Sequence, residues 1–271
     1  MMRSVLVVVA LMLVPFAAAD AAMKAGAPTV LVTGANRGIG LELAKQYAAL
    51  NWNVIATTRR PVDDAGAAEL RELAKKYPQV AVERIDVTST EMIRGVAQKY
   101  RAQPIDVLVN NAAAVEATFQ ADMAKVSEPY DKIDWDAARH DFDVNTLGPM
   151  RMVQAFESNV ERSKQKKIVN VTSFVGSFAM GFPNETAMNY AASKAALNMY
   201  SLKLSHALKP KGIVVALVEP ILVASKPGVA DNPMAKPVNE EIARLIKVID
   251  GLTMEQSGKI TNFSTGKTDP F

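Results

Sequence analysis

The sequence predicts a single doubly wound α/β domain, with a mainly parallel seven-stranded sheet and helices on both faces. Two observations predict this fold class. From residue 28 onward, short runs rich in Val and Ile alternate with longer segments whose apolar residues recur at helical spacing. The short runs are apolar at nearly every position, as in strands that are covered on both faces. Strands that alternate with helices are typical of parallel sheets joined by right-handed crossovers.

The predicted elements follow one another without a linker or an internal repeat, so we expect one domain over residues 28–271. The long Pro-rich segment 220–238 shows no periodicity and is predicted to be a functional loop. The predicted strands are 29–32, 53–58, 80–87, 105–110, 167–172, 212–218 and 258–264, and the predicted helices are 38–50, 65–77, 90–101, 134–160, 189–209 and 239–252.

The composition excludes several classes of site. The chain has 271 residues, of which 49% are hydrophobic and 22% are charged, a balance typical of a globular domain. It has no cysteine, which excludes disulfides, a thiol nucleophile and a thiolate metal site. With two histidines, a histidine-rich metal site is not expected. The net charge of +3 is too small to indicate a nucleic-acid partner.

The first 22 residues differ from the rest of the chain. Arg3 precedes an apolar stretch that ends in small residues at 17–19, the pattern of a cleaved secretory signal peptide. The stretch is too short to favour a membrane span. An uncleaved anchor, an organelle-targeting leader, or a cytoplasmic protein that starts at Met23 remain open. The glycosylation sequon at Asn170 lies in a predicted buried strand, which argues against passage through the endoplasmic reticulum.

The first predicted strand runs directly into the glycine-rich segment TGANRGIG, residues 33–40. Gly34, Gly38 and Gly40 permit a sharp turn and a close approach of the backbone to a ligand. The helix that starts near Gly38 offers unpaired N–H groups and the positive end of its dipole to a pyrophosphate. This position predicts the dinucleotide-binding loop of a Rossmann-type domain.

The second predicted strand ends in basic residues. An NAD-specific dehydrogenase usually has an acidic residue here, to hold the ribose 2′-hydroxyl. This chain has Thr58, Arg59 and Arg60 instead, and Arg37 lies within the glycine loop. Because guanidinium groups bind phosphate in a bidentate manner, the segment favours NADP(H) over NAD.

The third and fourth predicted strands end in small or polar residues. Asp86 and Val87 end the third strand, where we expect them to meet an adenine ring. Asn110 and Asn111 end the fourth strand, and the small residue Ala112 that follows leaves space for a cofactor.

The segment NYAASKAAL places Tyr190 and Lys194 one turn apart on a predicted helix, and so on the same face. An ordinary tyrosine pKa of about 10 is too high for efficient proton transfer near neutral pH. Because the Lys194 ammonium favours the phenolate, we expect the pKa of Tyr190 to fall. An exposed aromatic–lysine pair would show the same spacing, but its occurrence behind a dinucleotide loop favours an acid and its tuning cation.

Together these residues resemble the short-chain dehydrogenase/reductase family over about residues 29–271, and within it the carbonyl-reductase-like branch that includes the C-factor and sniffer proteins. The family's glycine motif matches residues 33–40, and its Asn-Asn-Ala-Gly motif matches residues 110–113, with Ala113 in place of glycine. Its catalytic Asn and Ser match Asn145 and Ser173, and its Tyr-x-x-x-Lys motif matches Tyr190 and Lys194.

The resemblance implies an NADP(H)-dependent enzyme that reduces an aldehyde, ketone or quinone to an alcohol. Tyr190 would be the general acid, Lys194 would lower its pKa, and Ser173 would stabilise the developing oxyanion. Asn145 would hold a proton-relay water. The resemblance also implies a homodimer or homotetramer, with a monomer left open, and no stable membrane partner. An NADP(H)-binding sensor with little turnover is the alternative.

The residues expected to contact the cofactor share positions at strand ends, in the glycine loop or on the catalytic helix. After Pro220 the family usually has glycine, where this chain has Ile221, so contacts to nicotinamide are assigned to Val223 and Ser225. Apolar residues at 174, 178, 180, 182 and 188 indicate an apolar carbonyl substrate, although a core or an oligomer contact would show the same residues. The expected cofactor contacts are Gly34, Asn36, Arg37, Gly38, Ile39, Gly40, Thr58, Arg59, Asp86, Val87, Asn111, Ala112, Tyr190, Lys194, Pro220, Val223 and Ser225.

Overall fold

A computed structural model describes residues 21–114, 130–179, 187–220, 222–225 and 229–271. Its strands are β1 (Thr29–Val32), β2 (Asn53–Thr58), β3 (Val80–Arg84), β4 (Val107–Asn110), β5 (Lys167–Val171), β6 (Val214–Glu219), β7 (Val223–Ala224), β8 (Lys236–Pro237), β9 (Ile260–Asn262) and β10 (Thr268–Asp269). Its helices are α1 (Gly38–Ala49), α2 (Ala68–Lys76), α3 (Thr90–Lys99), α4 (Trp135–Phe142), α5 (Gly148–Glu161), α6 (Met188–Leu208) and α7 (Val238–Gly251), and a π-helix, Asp143–Leu147, joins α4 to α5.

Among the described residues, eight strands form one sheet in the order β10-β9-β6-β5-β4-β1-β2-β3. All neighbours in it are parallel except β10, which runs antiparallel to β9. The doubly wound α/β prediction is therefore confirmed, with eight strands in place of seven. The missed strand, Thr268–Asp269, is too short to carry a sequence pattern. The strand order reverses between β1 and β4, and this position opens a crevice at the carboxyl ends of the strands.

Helices cover both faces of the sheet, so side chains of one strand enter two separate cores. Val30 and Val32 of β1 pack into a cluster with residues of α1 and α7, and Leu31 packs into a second cluster with residues of α3 and α5. All three side chains are fully buried. This two-sided burial explains why the strands read as continuous apolar runs in the sequence.

The predicted helix 134–160 is interrupted by the π-helix, whose position has a local cause. In an α-helix the N–H of residue 149 would bond to the carbonyl of Asn145, but Pro149 has no N–H. The predicted third strand is also shorter, because Asp86 starts a turn. Its Oδ1 accepts hydrogen bonds from the Thr88 N–H at 2.9 Å and the Thr88 hydroxyl at 2.7 Å.

Several predictions fall outside the described residues. These are the leader at 1–22, apart from Ala21 and Ala22, and Met180, Phe182 and Ile221. Within the part of the chain that is described, no helix is both long enough and apolar enough to cross a membrane.

Candidate active site

The carboxyl ends of the parallel strands open onto a cleft of ≈ 800 Å³, a volume within the usual range for ligand sites. Most of the residues expected to bind a cofactor lie on its wall. They are Gly34, Asn36, Arg37, Gly38, Ile39, Arg59, Asp86, Val87, Asn111, Ala112, Tyr190, Lys194, Pro220 and Ser225.

The glycine loop forms one wall of the cleft, and two of its residues require glycine. Gly34 has φ +65° and Gly38 has φ +57°, in the left-handed region that side chains disfavour. A Cβ on Gly34 would lie 2.9 Å from the Ala112 Cα, and one on Gly38 would lie 3.3 Å from the Ser225 carbonyl oxygen. The loop is therefore a close-fitting backbone cradle at the N-terminus of α1.

Gly40, also an expected cofactor contact, does not line the cleft. A Cβ on Gly40 would lie 2.5 Å from the Asn111 Nδ2, so glycine here makes room for a supporting amide. Asn111 Nδ2 donates to the carbonyl oxygens of Thr33 at 2.8 Å and Gly34 at 3.2 Å. The N–H groups of Asn111 and Ala112 donate to the Thr33 hydroxyl at 2.9 and 3.0 Å. Asn111 thus holds the end of β4 against the glycine loop.

The arginines at the end of β2 have different surroundings. Arg60 forms an ion pair with Asp64 at 3.4 Å. Thr58, an expected cofactor contact, is buried, does not line the cleft and accepts a hydrogen bond from the Arg60 N–H at 3.2 Å. Arg37, Arg59 and Arg60 are all exposed and all line the cleft, so this end of the cleft is suited to an anionic group.

Asp86, which also lines the cleft, carries a negative charge. Burial disfavours its ionisation, but the two hydrogen bonds from Thr88 and the positive charges of Arg59 and His140 favour it. The net effect holds the pKa of Asp86 below its ordinary value. Asp86 is therefore an acceptor for hydrogen bonds at neutral pH.

Three of the four predicted catalytic residues meet where β5 ends. Tyr190 and Lys194 lie one turn apart on α6, and Lys194 Nζ is 5.6 Å from the centroid of the Tyr190 ring. The buried Lys194 ammonium donates to the Val171 carbonyl oxygen at 2.9 Å. Ser173 lies just after β5, and its side chain is hydrogen-bonded to that of Tyr190.

The expectation that the pKa of Tyr190 falls is wrong for the protein alone. Burial raises the pKa of Tyr190 to about 12; the hydrogen bond from Ser173 opposes this shift, and the negative charge of Asp141 adds to it. The cost of removing a phenolate from water is therefore the largest effect on the pKa of Tyr190. Tyr190 is a protonated acid at neutral pH.

Asn145, the fourth predicted catalytic residue, lies in the π-helix and does not line the cleft. Its Nδ2 donates to the Ala114 carbonyl oxygen at 2.9 Å and to the Ser193 hydroxyl at 3.0 Å. Its Oδ1 accepts from the Ala114 N–H at 2.8 Å. Both amide hydrogens are thus used within the protein, and the side chain ties α6 to the segment after β4. π-Helices occur frequently at functional sites.

The family model described as short chain dehydrogenase matches residues 28–241. The chain belongs to the short-chain dehydrogenase/reductase family. An uncharacterised oxidoreductase of Schizosaccharomyces pombe is 30% identical over 258 residues, which cover 89% of this chain and 96% of the relative.

One solved structure places this short-chain dehydrogenase close to the carbonyl reductase branch, and a second shares its fold. The NADPH-bound carbonyl reductase from chicken fatty liver has a TM-score of 0.78 and 27% identity, over 90% of this chain and 99% of that one. The carbonyl reductase Sniffer of Drosophila melanogaster has a TM-score of 0.78 and 24% identity, over 90% and 100% of the two chains, a likeness of fold. The chain is therefore an oxidoreductase.

Helix α4 contributes residues to the wall of the cleft, and these were not predicted from the sequence. Ala137, His140 and Asp141 line it, and Asp141 is buried with its charge acting on Tyr190. The spacing in the sequence could have identified Asp141, because it lies one helical turn before Asn145.

The segment after β6 fits the prediction in part. Pro220 and Ser225 line the cleft, and Ser225 lies against Gly38. Val223 is buried in the core cluster beneath and does not line the cleft, so its expected cofactor contact is not found. Within the described residues, no group of three or more His, Asp or Glu side chains is arranged to hold a metal ion.

Proposed function

We propose that this short-chain dehydrogenase is an NADP(H)-dependent carbonyl reductase that converts an aldehyde, ketone or quinone to an alcohol. One observation carries the proposal. Tyr190 and Lys194 line the cleft that the glycine loop also lines, and the Ser173 side chain is hydrogen-bonded to that of Tyr190. Acid, oxyanion donor and cofactor cradle therefore share one site.

The residues present fit a dinucleotide phosphate. A side chain at Gly34 or Gly38 would fill the cradle, and the N-terminus of α1 directs its N–H groups toward this loop. Arg37 and Arg59 suit a 2′-phosphate, and β2 does not end in an acidic residue. The NADPH in the chicken structure supports the same cofactor here. Lys194 and Ser225 line the cleft at the end where we place the nicotinamide riboside.

NADPH, when bound, supplies a hydride to the carbonyl carbon of the substrate. Ser173 donates a hydrogen bond to the carbonyl oxygen and so stabilises the negative charge that develops there. Tyr190 donates its proton to the same oxygen, since it is protonated at neutral pH. The Lys194 ammonium stabilises the phenolate that remains.

The proposal predicts that Tyr190→Phe abolishes turnover and leaves the fold and cofactor binding intact. Because general acid catalysis contributes about 10²–10⁴-fold to a rate, we expect kcat to fall by about that factor. The measurements are the decrease of NADPH absorbance with aldehydes, ketones and quinones, and NADPH affinity by fluorescence titration.

Tyr200→Phe is the matched control, since Tyr200 lies on the same helix and is exposed. It should match the wild type in both measurements. If Tyr190→Phe kept near wild-type rates on all three substrate classes, the proposed mechanism would be refuted. Tight NADPH binding by a wild-type protein that turns over none of them would instead favour an NADP(H) sensor.

A further inference from the structure

Two carboxyl groups, one buried and one partly buried, lie behind the Ser173 turn, outside the cleft. Glu219, the last residue of β6, is 1% exposed, and its side chain is hydrogen-bonded to that of Asp269 in β10. Glu219 Oε2 and Asp269 Oδ2 are both buried and have no donor group as partner among the described residues. Two oxygens that accept but do not donate form a hydrogen bond only if one proton lies between them. The geometry therefore indicates a carboxyl pair that shares a proton.

The groups that face Glu219 come from three elements. Asn262 of β9 donates its Nδ2 to Glu219 Oε1 at 2.7 Å, and the Phe174 N–H also donates to the Glu219 carboxyl. Asp269 of β10 is the charged residue whose charge acts on Glu219 within the described part of the chain. Burial first, then the hydrogen bond and charge of Asp269, raise the pKa of Glu219 to about 8.

The same region joins the C-terminal segment, residues 268–271, to the catalytic loop, residues 173–179. The Ser177 hydroxyl donates to the Pro270 carbonyl oxygen at 2.9 Å, and the Ala179 N–H donates to the Phe271 carbonyl oxygen at 3.1 Å. Glu219 accepts from the Phe174 N–H, next to Ser173. Two contacts thus join the loop directly to the C-terminal segment, and a third joins it to Glu219, the partner of Asp269 in that segment.

We propose that Glu219 and Asp269 are positioning residues whose shared proton fastens the C-terminal segment to the catalytic loop and so holds Ser173 beside Tyr190. The effect of this fastening on catalysis rests on the proposed carbonyl reductase function. The attachment of the C-terminal segment to the loop does not depend on that function. Glu219 acts through the Phe174 N–H and does not line the cleft.

The shared proton makes the fastening sensitive to pH, with a definite sign. When the segment detaches, Glu219 becomes solvated and returns toward its ordinary pKa of 4.5, so detachment releases a proton between pH 4.5 and about 8. The detached population should therefore rise by up to about tenfold per pH unit across this window. Above about pH 8 Glu219 is ionised in both arrangements, and the dependence levels off.

Amide hydrogen exchange tests the fastening without any need for turnover. Peptides that cover residues 173–179 and 262–271 are followed from about pH 5 to 9, with exchange corrected for its intrinsic pH dependence. In the wild type, opening should become up to about a hundredfold more frequent from about pH 5.5 to 7.5. Glu219→Gln keeps a donor that cannot ionise and should show no such rise.

Two further variants complete the exchange experiment. Asp269→Asn supplies a permanent donor to Glu219 and should weaken the pH dependence. Glu255→Gln, at an exposed acid in the loop before β9, should behave as the wild type. Opening that does not depend on pH in the wild type would overturn the proposal, and so would an equal rise in Glu219→Gln.

Measurements of kcat and NADPH affinity in Glu219 variants distinguish a positioning role of Glu219 from a general loss of stability. Glu219→Ala leaves Asp269 without its partner and should lower kcat by about tenfold or more, with NADPH affinity unchanged. Glu219→Gln should restore kcat at neutral pH, and a Gln variant as impaired as the Ala variant would contradict the role. A wild type without turnover but with the expected exchange pattern would refute the proposed function and leave the fastening standing.

Discussion

The pKa of Tyr190 is higher than the sequence predicts. Burial raises the pKa of the phenol to about 12, although Ser173 donates a hydrogen bond and Lys194 lies one turn away. The Asp141 carboxylate increases this shift, because a nearby negative charge disfavours a phenolate. The protein alone therefore keeps the proton on Tyr190, which is the state that a proton donor needs before reaction.

Asp141→Asn should lower the pH at which Tyr190 ionises, because it removes the negative charge and leaves the side chain similar in size. The measurement is tyrosinate absorbance against pH, with each variant compared with the same variant that also carries Tyr190→Phe. Asp136→Asn, at an exposed residue on the same helix, is the control and should leave the titration unchanged. A Tyr190 titration that is the same in Asp141→Asn and in the wild type would contradict the assigned charge effect.

The glycine loop shows how an element can be specified by backbone geometry. Gly34 combines a positive φ with a close approach to Ala112, and the Asn111 amide fixes the loop from behind. An L-residue in the left-handed region costs about 1–2 kcal/mol. Contact with backbone atoms adds to this cost, because these atoms cannot move as a flexible side chain does.

Gly34→Ala and Gly266→Ala distinguish the cost of the left-handed conformation from the cost of contact with backbone atoms. Gly266 has φ +70°, and a Cβ on it would meet no heavy atom within 4 Å, so its substitution carries the conformational cost alone. Gly34→Ala has a similar φ but places its Cβ 2.9 Å from the Ala112 Cα, so it should lose about 1–3 kcal/mol more in unfolding free energy. NADPH affinity should fall in Gly34→Ala alone. Equal losses in denaturant unfolding would show that the contact with Ala112 carries no cost.

At the scale of the molecule, a chain of buried amides links the sheet to the catalytic helix. Asn110 Nδ2 of β4 donates to Asn170 Oδ1 of β5 at 2.8 Å, and Asn170 Nδ2 donates to the Ser201 hydroxyl of α6 at 2.8 Å. Ser201 donates onward to the Leu197 carbonyl oxygen at 2.7 Å. Because all these groups are buried, they help to set how α6, and with it Tyr190, lies on the sheet.

Asn170→Ala should lower the free energy of unfolding by about 2–4 kcal/mol, since it leaves the buried Asn110 Nδ2 without its acceptor, removes one of the hydrogen bonds of Ser201 and opens a small cavity. Denaturant titration measures the loss. Asn232→Ala is the control, because Asn232 lies in a loop, is only partly buried and accepts a hydrogen bond from the Met234 N–H. A loss no larger than that of the control would argue against the amide chain as a link between sheet and helix.

The strand ends were predictable from the sequence, and the surroundings of single side chains were not. Gly34, Arg59 and Tyr190 all line the cleft as expected. Thr58, Gly40 and Val223 were expected to contact the cofactor but support the loops beneath it. Neighbouring residues in a strand or loop alternate between facing a ligand and facing the core, and small shifts in register decide which residue does which.

The sequence by itself determined the order of strands and helices, the glycine loop after β1 and the placement of Tyr190 one turn before Lys194. These are local properties, which the apolar periodicity and the glycines at special backbone conformations encode. Only the tertiary structure decided that burial controls the Tyr190 proton, that the charge of Asp141 acts on it, and that Glu219 meets Asp269. Desolvation and charge act through space, between groups that are far apart in the chain, so no local pattern records them.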